Sequence, residues 1–149
     1  NVYCYGTLTS SPTDYQLIKV VNGGTAQSIG RATDSSVMTA TDPVIGKNIT
    51  IKGTTSVPNP LSVLCLGVPT TKPAPLTGLV PGSYAYFQVG NFFWIIGNLP
   101  GKAWANVFPI PNDPTIVGLD ATLQSFCLDA LKFPTNTEVT NGVQLTMGK

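Results

Sequence analysis

The chain is 149 residues long, carries a net charge of +1, contains no histidine and is only 10% charged, whereas an average soluble domain is about 25% charged. Its eight Lys and Arg residues are scattered, which excludes the basic patch that nucleic-acid binding requires. Without histidine, the chain lacks the usual base of a serine or cysteine nucleophile. A surface with so little charge is poorly protected against self-association.

β-branched residues dominate the sequence, with 19 Thr, 14 Val and 9 Ile, and such residues favour strands. Pro and Gly recur between short runs, as they do in the turns of sandwiches and barrels. No strand–helix alternation appears, which argues against a parallel α/β fold. In chain order the predicted strands are residues 15–21, 37–41, 47–54, 61–67, 84–89, 92–96, 102–110 and 119–128, with a closing stretch at 139 and 143–147.

Some of these segments carry more specific expectations. Residues 47–54 alternate as a half-buried strand does, and 61–67 is apolar enough to be central in a sheet. Residues 69–75 are proline-rich and predict a connection outside any sheet interior. Gly-Asn at 90–91 and Asn-Gly at 141–142 are hairpin-type turn signals. Residues 119–128 fit a helix or a strand, and the rest of the chain favours the strand.

Three cysteines, Cys4, Cys65 and Cys127, allow one disulfide and one remaining thiol. Cys65 and Cys127 lie in apolar runs, so each is either a buried thiol or half of a strand-to-strand disulfide. A Cys65–Cys127 pair is slightly preferred to a pair between Cys4 and either of them. Near the N-terminus, Cys4 is also placed to crosslink neighbouring subunits.

One N-glycosylation sequon is present, Asn48-Ile49-Thr50. It matters only in a eukaryotic or archaeal secretory context, and a chance match is the favoured interpretation. Asn48 is therefore a glycosylation candidate only.

The aromatic residues admit three interpretations: core packing, a self-association surface, or a platform for a sugar. In residues 92–94 large rings occupy both faces of a predicted strand, so at least one ring points away from the core of its own chain, and exposed rings suggest a partner surface. The set consists of Tyr3, Tyr5, Tyr84, Tyr86, Phe87, Phe92, Phe93 and Trp94. The interface candidates chosen from it are Tyr3, Tyr5, Phe92, Phe93 and Trp94.

No catalytic residue, cofactor site or metal site is predicted. The seven acids are read as turn and surface residues, and Asp113, in an Asn-Asp-Pro turn signal, illustrates this. The cysteine spacing fits no zinc site, and no phosphate-binding glycine pattern occurs. The sequence therefore predicts a protein that is not an enzyme.

The C-terminal half resembles an uncharacterised secreted β-rich domain family of planctomycete-like and myxobacterium-like bacteria. An Ile-Pro-Asn-x-Pro turn at 110–114, a Gly at 118, Gln124, Leu-Asp at 128–129 and a closing Asn-Gly at 141–142 follow the order of that family's pattern. The Pro43 and Ile-Gly 45–46 region is similar to its middle strand. The resemblance implies an extracellular β domain without established activity, and it brings no catalytic residues. The cysteine positions differ from those of the family, so it implies no disulfide pattern.

The fold prediction is all-β: a single domain over residues 1–149, an antiparallel β-sandwich of jelly-roll or immunoglobulin-like type with about eight to ten strands. The chain begins without Met, which suggests processing, and no apolar run is long enough for a membrane-spanning helix. We expect a secreted or cell-surface protein.

The leading functional expectation is a non-enzymatic structural subunit, a homo-oligomer that assembles into an extracellular filament, a pilus-like fibre or a surface layer. Residues 1–9 are expected to act as a strand or arm that engages a neighbouring subunit's sheet edge. The alternative is a secreted β-sandwich module that binds carbohydrate or another protein. No nucleic acid partner is expected, and glycans remain an open partner class.

Overall fold

A computed structural model describes residues 2–7, 15–20, 23–30, 36–133 and 136–149, with only the backbone given for 2–7, 15–20, 94 and 96–98. The described chain is almost entirely strand, and every strand pairing is antiparallel. The strands are β1 Val2–Thr7, β2 Tyr15–Val20, β3 Thr25–Ile29, β4 Val37–Ala40, β5 Asn48–Thr54, β6 Pro60–Pro75, β7 Tyr84–Pro100, β8 Ala103–Pro109, β9 Asp120–Asp129, β10 Glu138–Val139 and β11 Gly142–Thr146. A single 3₁₀ turn, Pro114–Ile116, is the only helical element described.

Two sheets form a sandwich, which confirms the all-β prediction. The large sheet has six strands in the order β3-β11-β9-β6-β7, with β10 also paired to β9, and the small sheet has three in the order β4-β5-β8. The face of the large sheet turned toward the small sheet is called the inner face below, and the opposite one the outer face. β1 and β2 form a separate two-stranded sheet.

The main core lies between the two sheets. Met38, Ile49 and Ile51 from the small sheet pack against Leu64 and Leu123 from the inner face of the large sheet. The alternation predicted for residues 47–54 is confirmed, because Ile49 and Ile51 are buried while Asn48 and Lys52 are exposed. Burial of these side chains supplies the main stabilisation of the sandwich.

The outer face is covered by the chain's own long hairpin. β6 pairs with β9 only from Pro60 to Gly67, and beyond that point its register with β7 becomes irregular. The distal half of the hairpin folds back, so that Phe87 packs on Cys65. A Cβ on Gly67 would meet the Phe87 Cβ at 2.7 Å, so only glycine lets the two segments approach this closely. The large sheet is therefore covered on both faces.

Several local predictions are wrong where long-range pairing overrides a turn signal. Residues 69–75 belong to β6 rather than to a connection, although they lie outside the sheet interior as expected. Gly90 and Asn91 lie inside β7, where Gly90 takes a φ of 103° at an irregular step in the pairing. The turn of this hairpin lies at residues 76–83, where Ser83 N donates to Val80 O.

The turn predicted at 141–142 is also not a hairpin. β10 and β11 both pair with the same edge of β9, so the chain passes Asn141 without reversing. Asn141 instead ties the two sheets together: its Oδ1 accepts from Met38 N at 2.7 Å, and its Nδ2 donates to Met38 O at 3.0 Å. The strand preferred for residues 119–128 is confirmed as β9, and the central position expected for 61–67 is confirmed in β6.

Candidate interaction surface

Two sheet edges on one side of the sandwich have no strand partner in the described chain. β7 is the last strand of the large sheet and β8 the last strand of the small sheet. Only Gly101 and Lys102 separate the two strands, so both edges lie on the same side of the molecule. Each edge presents a row of backbone N–H and C=O groups that can pair with another strand.

The two strands at this side carry no charged residue of their own. Between Lys72 and Asp113 the sequence contains one charged residue, Lys102. Natural edge strands are commonly protected by charged side chains, especially Lys, that disfavour pairing with another chain. The side chains of β7 and β8 supply no such protection, and the charges beside them are Lys102 in the connection and Lys52 of β5. We call this side, formed by β7 residues 92–100 and by β8, the uncharged edge.

Large apolar side chains are exposed along the uncharged edge. Phe93 is 61% exposed and Val107 is 57% exposed. Phe92 is 36% exposed and packs on Phe87, with the two ring centroids 4.9 Å apart. Phe93 supplies the exposed ring that the sequence requires in residues 92–94. The roles of Phe92 and Phe93 as interface residues stay predictions.

The other interface candidates are only partly described. Trp94 lies in β7, opposite Cys65 of β6, but its side chain is outside the described part. Tyr3 and Tyr5 lie in β1, for which the backbone alone is given. The surface therefore brings together Phe92 and Phe93 with the exposed residues of β8, and sequence reasoning did not anticipate the β8 contribution.

Two buried hydrogen-bond donors lie on the core-facing side of β8. Trp104 is 8% exposed, and its indole lies over Gly53 of the neighbouring strand. The Trp104 Nε1 and Asn106 Nδ2 atoms are both buried and have no acceptor within the described structure. Buried polar groups almost always have a partner, and leaving one without a partner costs about 1–3 kcal/mol. Within the described part of the chain, two hydrogen-bond donors thus lie without an acceptor beside the uncharged edge.

A cavity of about 480 Å³ lies on the opposite side, between the distal hairpin and the β3–β11 edge. Tyr84 and Tyr86 from β7 and Gln144 from β11 line it, together with Thr70 and Pro73 among others. None of the described residues that line it is charged. The volume falls within the range of small-ligand sites, about 300–1,000 Å³.

Gln124 positions the tyrosine wall of this cavity. Its Oε1 accepts from Tyr86 N at 3.0 Å, and its Nε2 donates to Tyr84 O at 2.7 Å and to Thr140 O at 2.9 Å. The side chain is fully buried. Sequence reasoning gave Gln124 no structural role, although one amide inside the apolar run of β9 is the kind of signal that marks a buried hydrogen-bonding residue.

The preferred Cys65–Cys127 disulfide is wrong, because both cysteines are free thiols in the structure. Cys65 lies directly opposite Gln124, and Cys127 is three residues further along β9. Since side chains alternate along a strand, Cys65 faces the outer face and Cys127 the inner face, so the sheet separates the two sulfurs. Burial raises the pKa of Cys65 to about 12. The Cys4 side chain lies outside the described residues.

Of the acidic residues, Asp113 and Asp129 hold turns. Asp113 Oδ1 accepts from the backbone N of Thr115 at 2.9 Å, and these contacts with Thr115 lower the pKa of the carboxyl. In the described residues no three His, Cys, Asp or Glu side chains are grouped to hold a metal ion. Asn48 is exposed at the start of β5, and its glycosylation stays a prediction.

No protein-family model and no curated protein matches this chain. Within the described ranges, no helix is long and apolar enough to cross a membrane.

Proposed function

We propose that the protein is a non-enzymatic structural subunit that self-assembles outside the cell into a filament or surface layer. The observation that carries the proposal is the uncharged edge: one nearly charge-free stretch of sequence supplies both open edge strands, on one side of the sandwich. The extracellular location rests on the family resemblance alone.

The physical argument concerns how edges are normally kept apart. An added strand pairs with an open edge through main-chain hydrogen bonds, which act as an adhesive regardless of side-chain identity. Charged side chains oppose this pairing, because bringing charges together or desolvating them is unfavourable. β7 and β8 together carry none, and they expose Phe93 and Val107. Edge-to-edge association therefore buries apolar surface without burying a charged side chain of either strand.

We expect single lysines on this surface to block assembly. Phe93→Lys and Val107→Lys place a charge on β7 and β8, and each should shift the protein from polymers to monomers. Leu131→Lys is the matched control, because Leu131 is 78% exposed in the turn after β9, outside both edges. Light scattering after size exclusion and negative-stain electron microscopy measure the outcome.

Polymers of the wild type and of Leu131→Lys, with monomers of the two edge variants, support the proposal. A wild-type protein that stays monomeric at high concentration contradicts it. Edge variants that polymerise as the wild type does would show that assembly uses another surface.

The cavity lined by Tyr84, Tyr86 and Gln144 favours a second function, a binding module for a neutral, hydroxyl-rich ligand such as a glycan. Hydroxyl and amide groups orient such ligands through hydrogen bonds, and aromatic walls contact their apolar faces. Trp104 is buried in the core and takes no part in this site. Glycan-array binding that is lost in Gln144→Leu but retained in Val107→Lys would support this function over the structural one.

A further inference from the structure

The N-terminal hairpin forms a sheet of its own. β1 pairs with β2 in a continuous antiparallel register from Val2↔Val20 to Thr7↔Tyr15. Among the described strands, neither pairs with the large or the small sheet. An isolated two-stranded hairpin is marginally stable in water and needs a third strand or a packing surface. The hairpin therefore offers an edge that gains stability from a partner.

β1 is the strand whose character matches the uncharged edge. It contains no charged residue, whereas β2 contains Lys19. β1 has six residues and β8 has seven, so one can pair along nearly the whole length of the other. Pairing β1 with β8 brings no charge into the new ladder.

The sequence of β1 also supplies what β8 lacks. Alternate residues of a strand share a face, so Tyr3, Tyr5 and Thr7, which all carry hydroxyl groups, belong to one face of β1. Trp104 and Asn106 occupy alternate positions on the core-facing side of β8, and among the described residues their donors meet no acceptor. A hydroxyl oxygen accepts hydrogen bonds, and an adjacent strand places its side chains about 5 Å from those of its neighbour.

We propose that β1 of one copy adds beside β8 of the next copy, with the face of β1 to which Tyr3, Tyr5 and Thr7 belong on the core-facing side of the sheet. The added hairpin extends the small sheet from three strands to five. This inference rests on the proposed function, since it names the donor and the acceptor strand of the assembly. This arrangement of β1 beside β8 places Cys4 on the opposite, solvent-facing face of the sheet, which is the face of Ala105 and Val107.

Native Cys4 provides the test in the full-length chain. Ala103, Ala105 and Val107 are exposed on β8, and each is replaced by Cys in turn, giving Ala103→Cys, Ala105→Cys and Val107→Cys. Under mild oxidation we expect a ladder of disulfide-linked multimers for at least one of them on a non-reducing gel. Cys65 and Cys127 are fully buried and do not compete. Leu131→Cys is the matched control and should give no ladder.

Adding Cys4→Ser to the crosslinking variant identifies the donor. Loss of the ladder supports donation of β1 between copies. A ladder that survives Cys4→Ser shows β8 meeting β8, and a crosslink confined to one chain shows the hairpin docking on its own subunit; either result overturns the inference. Polymers of the wild type without any Cys4 crosslink overturn the inference alone, whereas an absence of polymers overturns the proposed function as well.

Discussion

The two faces of the large sheet are covered in different ways. On the inner face, apolar side chains such as Leu64 and Leu123 pack against the small sheet. On the outer face, the distal hairpin packs a smaller apolar cluster around Phe87 on the sheet, is hydrogen-bonded by the Gln124 amide, and approaches the sheet over glycine. The inner cover depends on the volume of its side chains, whereas the outer cover also depends on hydrogen-bond geometry and on the absence of a side chain at Gly67.

The difference predicts how each face fails. A truncated apolar side chain leaves a cavity that the surroundings fill only in part. Removing the amide removes its hydrogen bonds to the hairpin backbone, and the hairpin can then separate from the sheet so that these groups bind water instead. Damage to the inner face should therefore lower global stability, while damage to the outer face should first open the hairpin locally.

The largest effect is expected for Leu64→Ala. Leu64 is fully buried in the inner core, so the cavity and lost transfer energy should lower the free energy of unfolding by about 3–5 kcal/mol. Urea unfolding followed by tryptophan fluorescence measures it. Leu131→Ala, at an exposed leucine, should change stability by less than about 0.5 kcal/mol. Equal losses in both variants would contradict the assigned inner core.

Gln124→Leu tests the outer face and should lower the free energy of unfolding by about 2–3 kcal/mol, because three hydrogen bonds from Gln124 to the backbone are lost. Gln27→Leu, at an exposed glutamine of β3, is the control. A local readout separates the two faces: alkylation of Cys65 should be slow in the wild type, whose buried thiol has a pKa of about 12, and faster in Gln124→Leu. If the Cys65 rate is unchanged, Gln124 does not hold the cover.

Gly67→Ala probes the close approach of hairpin and sheet. The added Cβ would meet the Phe87 Cβ at 2.7 Å, and such overpacking costs about 1–3 kcal/mol. Gly23→Ala adds a methyl group that meets nothing within 4 Å, so it should be nearly neutral. Thermal unfolding compares the two variants. A neutral Gly67→Ala would place the distal hairpin further from the sheet.

The smallest expected effect is the loss of stability at low pH when the carboxyl group of Asp129 is protonated. Asn136 Nδ2 and Leu131 N donate to the carboxylate of Asp129 at 2.9 and 3.0 Å, and these contacts lower its pKa. The stabilisation is present above the ordinary Asp pKa of about 3.9 and is lost as the pH falls through the lower folded value. Asp129→Asn should weaken this acid dependence, seen as a flatter plot of unfolding free energy against pH. Glu138 variants serve as the comparison acid.

The sequence predicts correctly those strands whose conformation is determined by their own residue pattern. β5 alternates cleanly, and β9 was assigned from its similarity to the rest of the chain. The turn signals at Gly90 and Asn141 failed because a neighbouring strand offered a full ladder, and pairing across that ladder outweighed the local preference of two residues. The disulfide failed for a related reason, since only the register shows that Cys65 and Cys127 lie on opposite faces.

Part of the candidate surface could be predicted from the sequence. Low charge is a property of composition, and the exposed ring at 92–94 followed from alternation. That the charge-free stretch supplies two edges on the same side depends on strand order, and strand order is set by contacts between residues far apart in the chain. Trp104 and Asn106 looked like ordinary strand residues, because an unmet hydrogen bond becomes visible only once neighbours are placed.

The position of β11 decides when the large sheet can close. β11 is the last of the described strands in chain order, yet it lies between β3 and β9, and Thr25 pairs with Thr146. Pairings between residues so distant form slowly, so the large sheet cannot close before β11 has been made. β7 and β8 can pair with β6 and β5, which precede them in the chain, but their open edges are present throughout this interval. Premature pairing of these edges with another chain is therefore a hazard during folding.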